Sequence, residues 1–321
     1  MSKTNIIDLI ENMLAGDQRA LARLMSRVEQ ESAEVPEIMR RIYPVLGKGH
    51  CIGITGSPGA GKSTVTDRLT AYARQQGLTV GILAVDPTSP FSGGAVLGDR
   101  IRMQQHYLDA GVFIRSMATR GSHGGLAHAA KGVIKLLDAF GQDLILVETV
   151  GVGQTELDIV ETADTTVVLL VPEGGDTVQA MKAGIMEIAD LFVVNKADRD
   201  GAERMLMDLR MLVHMHAGET SWDIPVLATQ AHRNVGIPEL FETITAHRRM
   251  LEETGLLAAR RRAHRRQELL ELLQHRLLAT LLARLEHDET LQTLVEEVQE
   301  GTVDPYTAAQ QIVERRAAVW E

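Results

Sequence analysis

Residues 51–64 read Cys51-Ile52-Gly53-Ile54-Thr55-Gly56-Ser57-Pro58-Gly59-Ala60-Gly61-Lys62-Ser63-Thr64. An apolar run of strand character passes into a glycine-rich loop, and a helical stretch follows from Thr64. The pattern G-x-x-x-x-G-K-S is complete and stands in the context it needs, a strand before and a helix after. Glycines let such a loop turn until successive backbone N–H groups point at one cluster of phosphate oxygens. The phosphate cradle is therefore expected from Gly56, Ser57, Pro58, Gly59, Ala60, Gly61, Lys62, Ser63 and Thr64. Lys62 is expected to reach the β- and γ-phosphates, touching ligand only, and Ser63 to hold Mg²⁺.

Working outward, residues 48–247 alternate short β-rich runs with helical stretches. The runs are Cys51–Thr55, Thr79–Val85, Val112–Arg115, Leu144–Glu148, Thr165–Val171, Leu191–Asn195 and Pro225–Thr229. Runs apolar on both faces suit a buried parallel sheet, and the helical stretches supply its crossovers. The expected fold is α/β: a doubly wound, mostly parallel sheet forming a P-loop domain, with helical extensions at both ends.

Residues 1–47 read as an N-terminal helical extension, with Ile6, Ile7, Leu9, Ile10, Met13 and Leu14 at three-to-four spacing and a second helix opened by Asp17. Residues 248–321 read as a C-terminal helical arm whose leucines from Leu269 to Leu285 form a broad apolar face. Such a face needs a surface to bury against, either the α/β domain or, as expected here, a second copy of the chain. The run Arg260-Arg261-Arg262-Ala263-His264-Arg265-Arg266 reads as a solvated helix face beside a Glu-rich region.

Composition narrows the classes of function. Over 321 residues, 33 Lys and Arg against 43 Asp and Glu leave a net charge of −10, which argues against a protein that wraps nucleic-acid phosphates. Aromatic residues make up 3%, too few for a base-stacking platform. The single cysteine, Cys51, rules out an intrachain disulfide framework and a cysteine-built zinc cluster. No apolar run approaches the ~18 residues of a membrane-spanning helix. The N-terminus has neither a signal-peptide core nor the acid-poor character of a transit segment, so a cytoplasmic, reducing location is expected.

The base is chosen by a second motif. The strand from Leu191 ends in Asn195-Lys196-Ala197-Asp198, an N-K-x-D pattern. A carboxylate at Asp198 can accept two hydrogen bonds, from guanine N1–H and the exocyclic amine. Adenine offers neither donor there, so GTP is expected over ATP. The stem of Lys196 can lie over the purine face. For the metal shell, Leu144–Glu148 resembles a strand that ends in a metal-binding acid, and Glu148 is expected either at Mg²⁺ or orienting the attacking water. Asp86 and Asp99, on loops at the sheet's carboxyl edge, are the further acids expected at Mg²⁺.

These residues and the loops between them resemble the MeaB/ArgK family of SIMIBI-class P-loop GTPases, which includes the methylmalonic aciduria type A protein. The likeness rests on Val85-Asp86-Pro87-Thr88-Ser89-Pro90, Gly93-Gly94-Ala95-Val96-Leu97-Gly98-Asp99, Arg120-Gly121-Ser122-His123-Gly124-Gly125-Leu126 and Glu148-Thr149-Val150-Gly151-Val152-Gly153-Gln154. It spans the α/β region and, more loosely, the helical ends. The resemblance implies a GTPase that escorts an adenosylcobalamin-dependent acyl-CoA mutase, usually methylmalonyl-CoA mutase. Such a protein gates cofactor delivery, protects the mutase and helps release damaged cobalamin, so adenosylcobalamin enters only through the partner. A homodimer held by the C-terminal helices is implied, as are switch loops around Asp86–Asp99, Thr149–Glu156 and Glu173–Gly184. The last of these reads Glu173-Gly174-Gly175-Asp176 where relatives commonly have a run of glycines or alanines, and Lys182 lies further along it. An older family label, a lysine/arginine/ornithine transport ATPase, fits poorly with a guanine-selecting motif.

Two further expectations complete the reading. The segment Thr229-Gln230-Ala231 is expected beside the guanine, with Gln230 in place of the usual Ser and backbone N–H groups serving in its stead. No side chain in Thr149–Gly153 offers the amide with which Ras-like GTPases orient water, so hydrolysis is expected to be slow until a partner orders the Glu173–Gly184 loop and brings Lys182 or Asp176 toward the nucleotide. The competing function within the same class is nickel insertion for hydrogenase or urease. That role commonly uses a Cys beside the switch and a His-rich tail, whereas this chain has Gly121-Ser122-His123 and scattered histidines.

Overall fold

A computed structural model of the chain describes residues 5–87, 103–119, 125–149, 162–172, 185–216, 222–285 and 287–317. The chain divides into two compact units, Met1–His264 and Arg265–Glu321.

The first unit is built on seven strands: β1 His50–Gly56, β2 Val80–Pro87, β3 Val112–Thr119, β4 Leu144–Thr149, β5 Thr165–Leu170, β6 Leu191–Asn195 and β7 Val226–Thr229. They form one sheet in the order β3-β2-β4-β1-β5-β6-β7, and every pairing is parallel. Each expected apolar run is one of these strands. Every residue of β1, β4, β5 and β6 is buried, because helices cover both faces and leave no wet side on which polar residues could alternate.

The helices of this unit are α1 Ile6–Leu14, α2 Gln18–Glu29, α3 Val35–Ile42, α4 Lys62–Gln75, α5 Gly125–Phe140, α6 Ile185–Ile188, α7 Ala202–His216 and α8 Ile237–Glu253. Side chains alternate across the strands and sort into two layers. Ile52 and Ile54 of β1, Ile82 of β2, Leu146 of β4 and Val167 and Leu169 of β5 pack with Val65 and Leu69 of α4 and Leu240 and Ile244 of α8. On the opposite face Cys51, Leu83, Val85, Ile145 and Val147 meet α5 through Val133 and Leu137. The N-terminal helices share that second core, since Ile10, Met13, Leu21, Leu24, Met25 and Ile38 belong to it. Asn5 and Asp17 cap α1 and α2 by accepting from the N–H of Ile7 and Arg19.

A thirty-residue helix, α9 Leu256–Leu285, begins in the first unit. The second unit holds its later turns with α10 Glu289–Gln299 and α11 Pro305–Ala317, close to the helices expected there. Asp288 caps α10, and Asp304 accepts from the N–H of Tyr306 and Thr307. The leucines from Leu269 to Leu282 that stand exposed are 39% to 56% accessible. Among the described residues no helix is long and apolar enough to cross a membrane.

The arginine run departs from expectation. Arg260 and Arg261 do not form a solvated face. They turn toward the sheet and pair with Asp190 and Asp164, only 11% and 3% of whose side chains are accessible. A charge run looks the same in sequence whether its helix faces water or a buried acid.

Candidate nucleotide site

The loop between β1 and α4 is shaped by three glycines at positive φ: Gly56 at 136°, Gly59 at 77° and Gly61 at 88°. A Cβ on Gly56 would collide with the Leu169 carbonyl of β5, so the strand can leave the sheet there only without a side chain. A Cβ on Gly61 would come within 2.5 Å of Asn195 Nδ2. Gly61 is also the residue before α4, which begins at Lys62, two residues earlier than expected. The first turn of α4 therefore follows the loop directly, and its N–H groups have no helical partner, which is the arrangement that binds phosphate.

Lys62 is buried, and its Nζ donates to the carbonyls of Gly56 at 2.7 Å and Ser57 at 2.9 Å. It thus lies across the loop it belongs to, where the sequence led us to expect contacts with ligand alone. Ser57 is half-buried, Pro58 and Gly59 are exposed, Ala60 is buried and Thr64 is half-buried. Ser63 Oγ donates to Glu148 Oε1 at 2.5 Å, and both residues are buried. The register explains the meeting, for Glu148 of β4 lies beside Ile54 of β1 and Ala84 of β2. Asp86 is the penultimate residue of β2, in register with Ala118. Asp99, Glu173, Asp176 and Lys182 lie outside the described residues.

The base-recognition motif is joined to this loop by side chains. Asn195 closes β6, and its Nδ2 donates to the Ala60 carbonyl at 2.8 Å. Its Oδ1 accepts from Thr229 Oγ1 at 3.0 Å and from the Ala231 N–H at 3.2 Å. Lys196 follows at φ 57°, and its Nζ donates to the Gly59 carbonyl at 2.9 Å. The turn leaves Asp198 exposed at the sheet's carboxyl edge. Gln230 N–H donates to Val235 O at 3.0 Å, so the N–H groups of Gln230 and Ala231 are both engaged within the protein. Gln230 pairs with Val235, while Thr229 and Ala231 hold Asn195. That tether was not legible in the sequence, where Asn195 is one letter of a motif and its three partners lie on two distant segments.

A parallel sheet with a phosphate loop leaving its central strand, bonded through one buried asparagine to an N-K-x-D corner, defines a P-loop GTPase. Comparison with known proteins narrows the class. The family model described as "Methylmalonyl Co-A mutase-associated GTPase MeaB" matches residues 21–286, and the chain belongs to the MeaB family. A Pyrococcus abyssi protein whose name places it among GTPases is 50% identical over 311 residues, 96% of each chain. A Mus musculus protein named "Methylmalonic aciduria type A homolog, mitochondrial" is 34% identical over 262 residues, 80% of this chain and 63% of that one. The crystal structure of an LAO/AO transport system kinase matches with a TM-score of 0.72 at 27% identity, covering 99% of each chain.

Proposed function

We propose that this chain binds and hydrolyses GTP with Mg²⁺, and that it uses the cycle to gate loading, protection and reactivation of an adenosylcobalamin-dependent acyl-CoA mutase, methylmalonyl-CoA mutase or a close relative. The observation that carries the nucleotide reading is the Asn195 carboxamide, bonded at once to the phosphate loop, to the end of β7 and to the turn beyond it. A base reader and a phosphate cradle held by one side chain suit a single guanine nucleotide. The mutase reading is supported by the family's own description and by the name of the mouse relative.

Ser63 Oγ and Glu148 Oε1, 2.5 Å apart and buried, form a pair of hard oxygen donors that fits Mg²⁺. Ser63 and Glu148 would hold the ion together with Asp86 and Asp99. When bound, Mg²⁺ neutralises charge that develops on the β- and γ-phosphate oxygens. Lys62 exchanges its carbonyl partners for phosphate oxygens, and the N–H groups of the loop and of α4's first turn orient the chain of phosphates. Asp198 reads the guanine edge while Lys196 covers its face. Glu148 also aligns the attacking water.

Phosphate release from GTP, measured on the full chain with and without the mutase, tests the proposal. Slow basal turnover that rises about tenfold or more with the mutase is expected, since groups supplied in trans contribute roughly 10³–10⁵ in other GTPases. GTP turnover indifferent to the mutase would overturn the partnership and leave the GTPase reading standing.

A further inference from the structure

The edge of the sheet opposite the nucleotide loops carries a buried polar cluster that the proposed chemistry does not use. Arg260 of α9 grips Asp190 with both Nη atoms, at 2.9 and 3.0 Å, and its Nη1 also donates to the Asp164 carbonyl at 2.7 Å. Arg261 grips Asp164 through Nε at 2.7 Å and Nη2 at 2.6 Å, and donates to the carbonyls of Gly47 and Gly49. The two acids are in turn bonded to strand backbone: Asp164 accepts from the Cys51 N–H of β1, and Asp190 from the Thr166 N–H of β5.

A chain of side chains runs through the same place. His247 Nε2 of α8 lies 3.3 Å from Asp190 Oδ1, Thr165 Oγ1 lies 2.8 Å from His247 Nδ1, and His50 Nε2 lies 2.8 Å from Thr165 Oγ1. A carboxylate only accepts, so His247 donates from Nε2 to Asp190. Thr165 Oγ1 thus joins the His50 and His247 rings, with its hydroxyl able to donate to one and accept from the other. Burial drives the His50 pKa down to about 3, in keeping with a neutral ring.

Each strand in the cluster carries part of the nucleotide site at its other end. β1 starts at His50 and ends in the phosphate loop at Gly56. β6 starts immediately after Asp190 and ends at Asn195. β5 starts at Thr165 and passes Leu169, whose carbonyl lies against Gly56. The root of α9 and the phosphate loop thus grip opposite ends of the same three strands.

We infer that Arg260 and Arg261 are positioning residues for the nucleotide site: the polar cluster couples the root of α9 to the phosphate loop through β1, β5 and β6, so that guanine nucleotide and a tightly held α9 root stabilise one another. Coupling between sites is reciprocal, so each must strengthen the other by the same factor. This rests on the nucleotide reading above, and the experiment separates the two.

Titration calorimetry of the full chain with GDP comes first. Absence of binding overturns the nucleotide reading and the coupling together, whereas binding without the effects below overturns the coupling alone. Amide hydrogen exchange of the wild-type chain is then compared with and without GDP. The expected result is a slowing of about fivefold or more in peptides covering residues 256–264, the lower end of measured couplings. Exchange there that ignores GDP overturns the inference, and this arm needs no variant. Arg261→Gln is expected to weaken GDP about fivefold or more and to abolish the GDP-dependent difference. Arg261→Lys, which keeps the charge but loses the fork, should restore part of both. A folded Arg261→Gln chain that binds GDP like wild type refutes the coupling. An ion pair with a purely structural role would change exchange equally with and without nucleotide.

Discussion

The Asn195 carboxamide donates to one buried neighbour and accepts from two, so truncating it leaves the Ala60 carbonyl, the Thr229 hydroxyl and the Ala231 N–H to find other partners. Each buried group left unsatisfied costs about 1–3 kcal/mol. Asn195→Ala is therefore expected to destabilise the fold by about 3 kcal/mol and to weaken GDP as well, measured by urea unfolding and by calorimetry. Asp198 is exposed, and Asp198→Asn should leave stability within about 0.5 kcal/mol of wild type. Its effect should fall on ligand choice instead: GTP weaker by roughly 10²-fold, with a new preference for xanthine nucleotides, whose C2 carbonyl accepts where guanine donates. Competition between GTP and XTP for the variant decides the matter, and a retained preference for GTP would remove Asp198 from the base-reading role. The motif made Asp198 legible as the proposed reader. It concealed Asn195 as the strut.

At the scale of strands and helices, the cluster at the starts of β1, β5 and β6 has an acid-labile signature. Burial lowers the His50 pKa to about 3, opposed by the Asp164 carboxylate, and the Arg248 and Arg261 guanidinium groups and the His247 ring also face it. The unfolded chain binds a proton at His50 below about pH 6.5 that the folded chain refuses, so stability falls as pH drops, by up to about 1.4 kcal/mol per pH unit. His264, lowered chiefly by burial, acts in the same sense. Burial works to raise the carboxyls of Asp164 and Asp190, yet their bonds to Arg261 and to His247 and Arg260 hold both below the ordinary value. Their contribution is full above about pH 4 and is lost as pH falls through the lowered values. Urea unfolding across pH 7.5 to 4 should show a plateau above about pH 7 and a decline below 6.5, flattened in His50→Gln. A wild-type profile level down to pH 4.5 would contradict this. The strands themselves were legible because an apolar run between turn signals has few other uses. The polar residues at their starts carry no such pattern.

For the whole molecule, the leucines of α9 between Leu269 and Leu282 leave more apolar surface in water than scattered exposure explains. Light scattering at micromolar concentration is expected to give about twice the monomer mass, with this face between copies, and a monomer would refute that assembly. The sequence by itself determined the α/β class, the strand positions, the glycine loop after β1 and the N-K-x-D corner after β6. Each is encoded in a contiguous stretch whose geometry follows from local chemistry: glycines that permit positive φ, apolar runs that must be buried, a lysine and serine fixed beside them. Only the tertiary structure decided which arginines face inward, that Lys62 lies across its own loop, and that His50, Thr165 and His247 join in one chain across separations of 115 and 82 residues. The physical reason is that burial belongs to packing. An arginine on a helix is written the same way beside water as beside an acid, and only the approach of β5 and β6 to the root of α9 makes the difference.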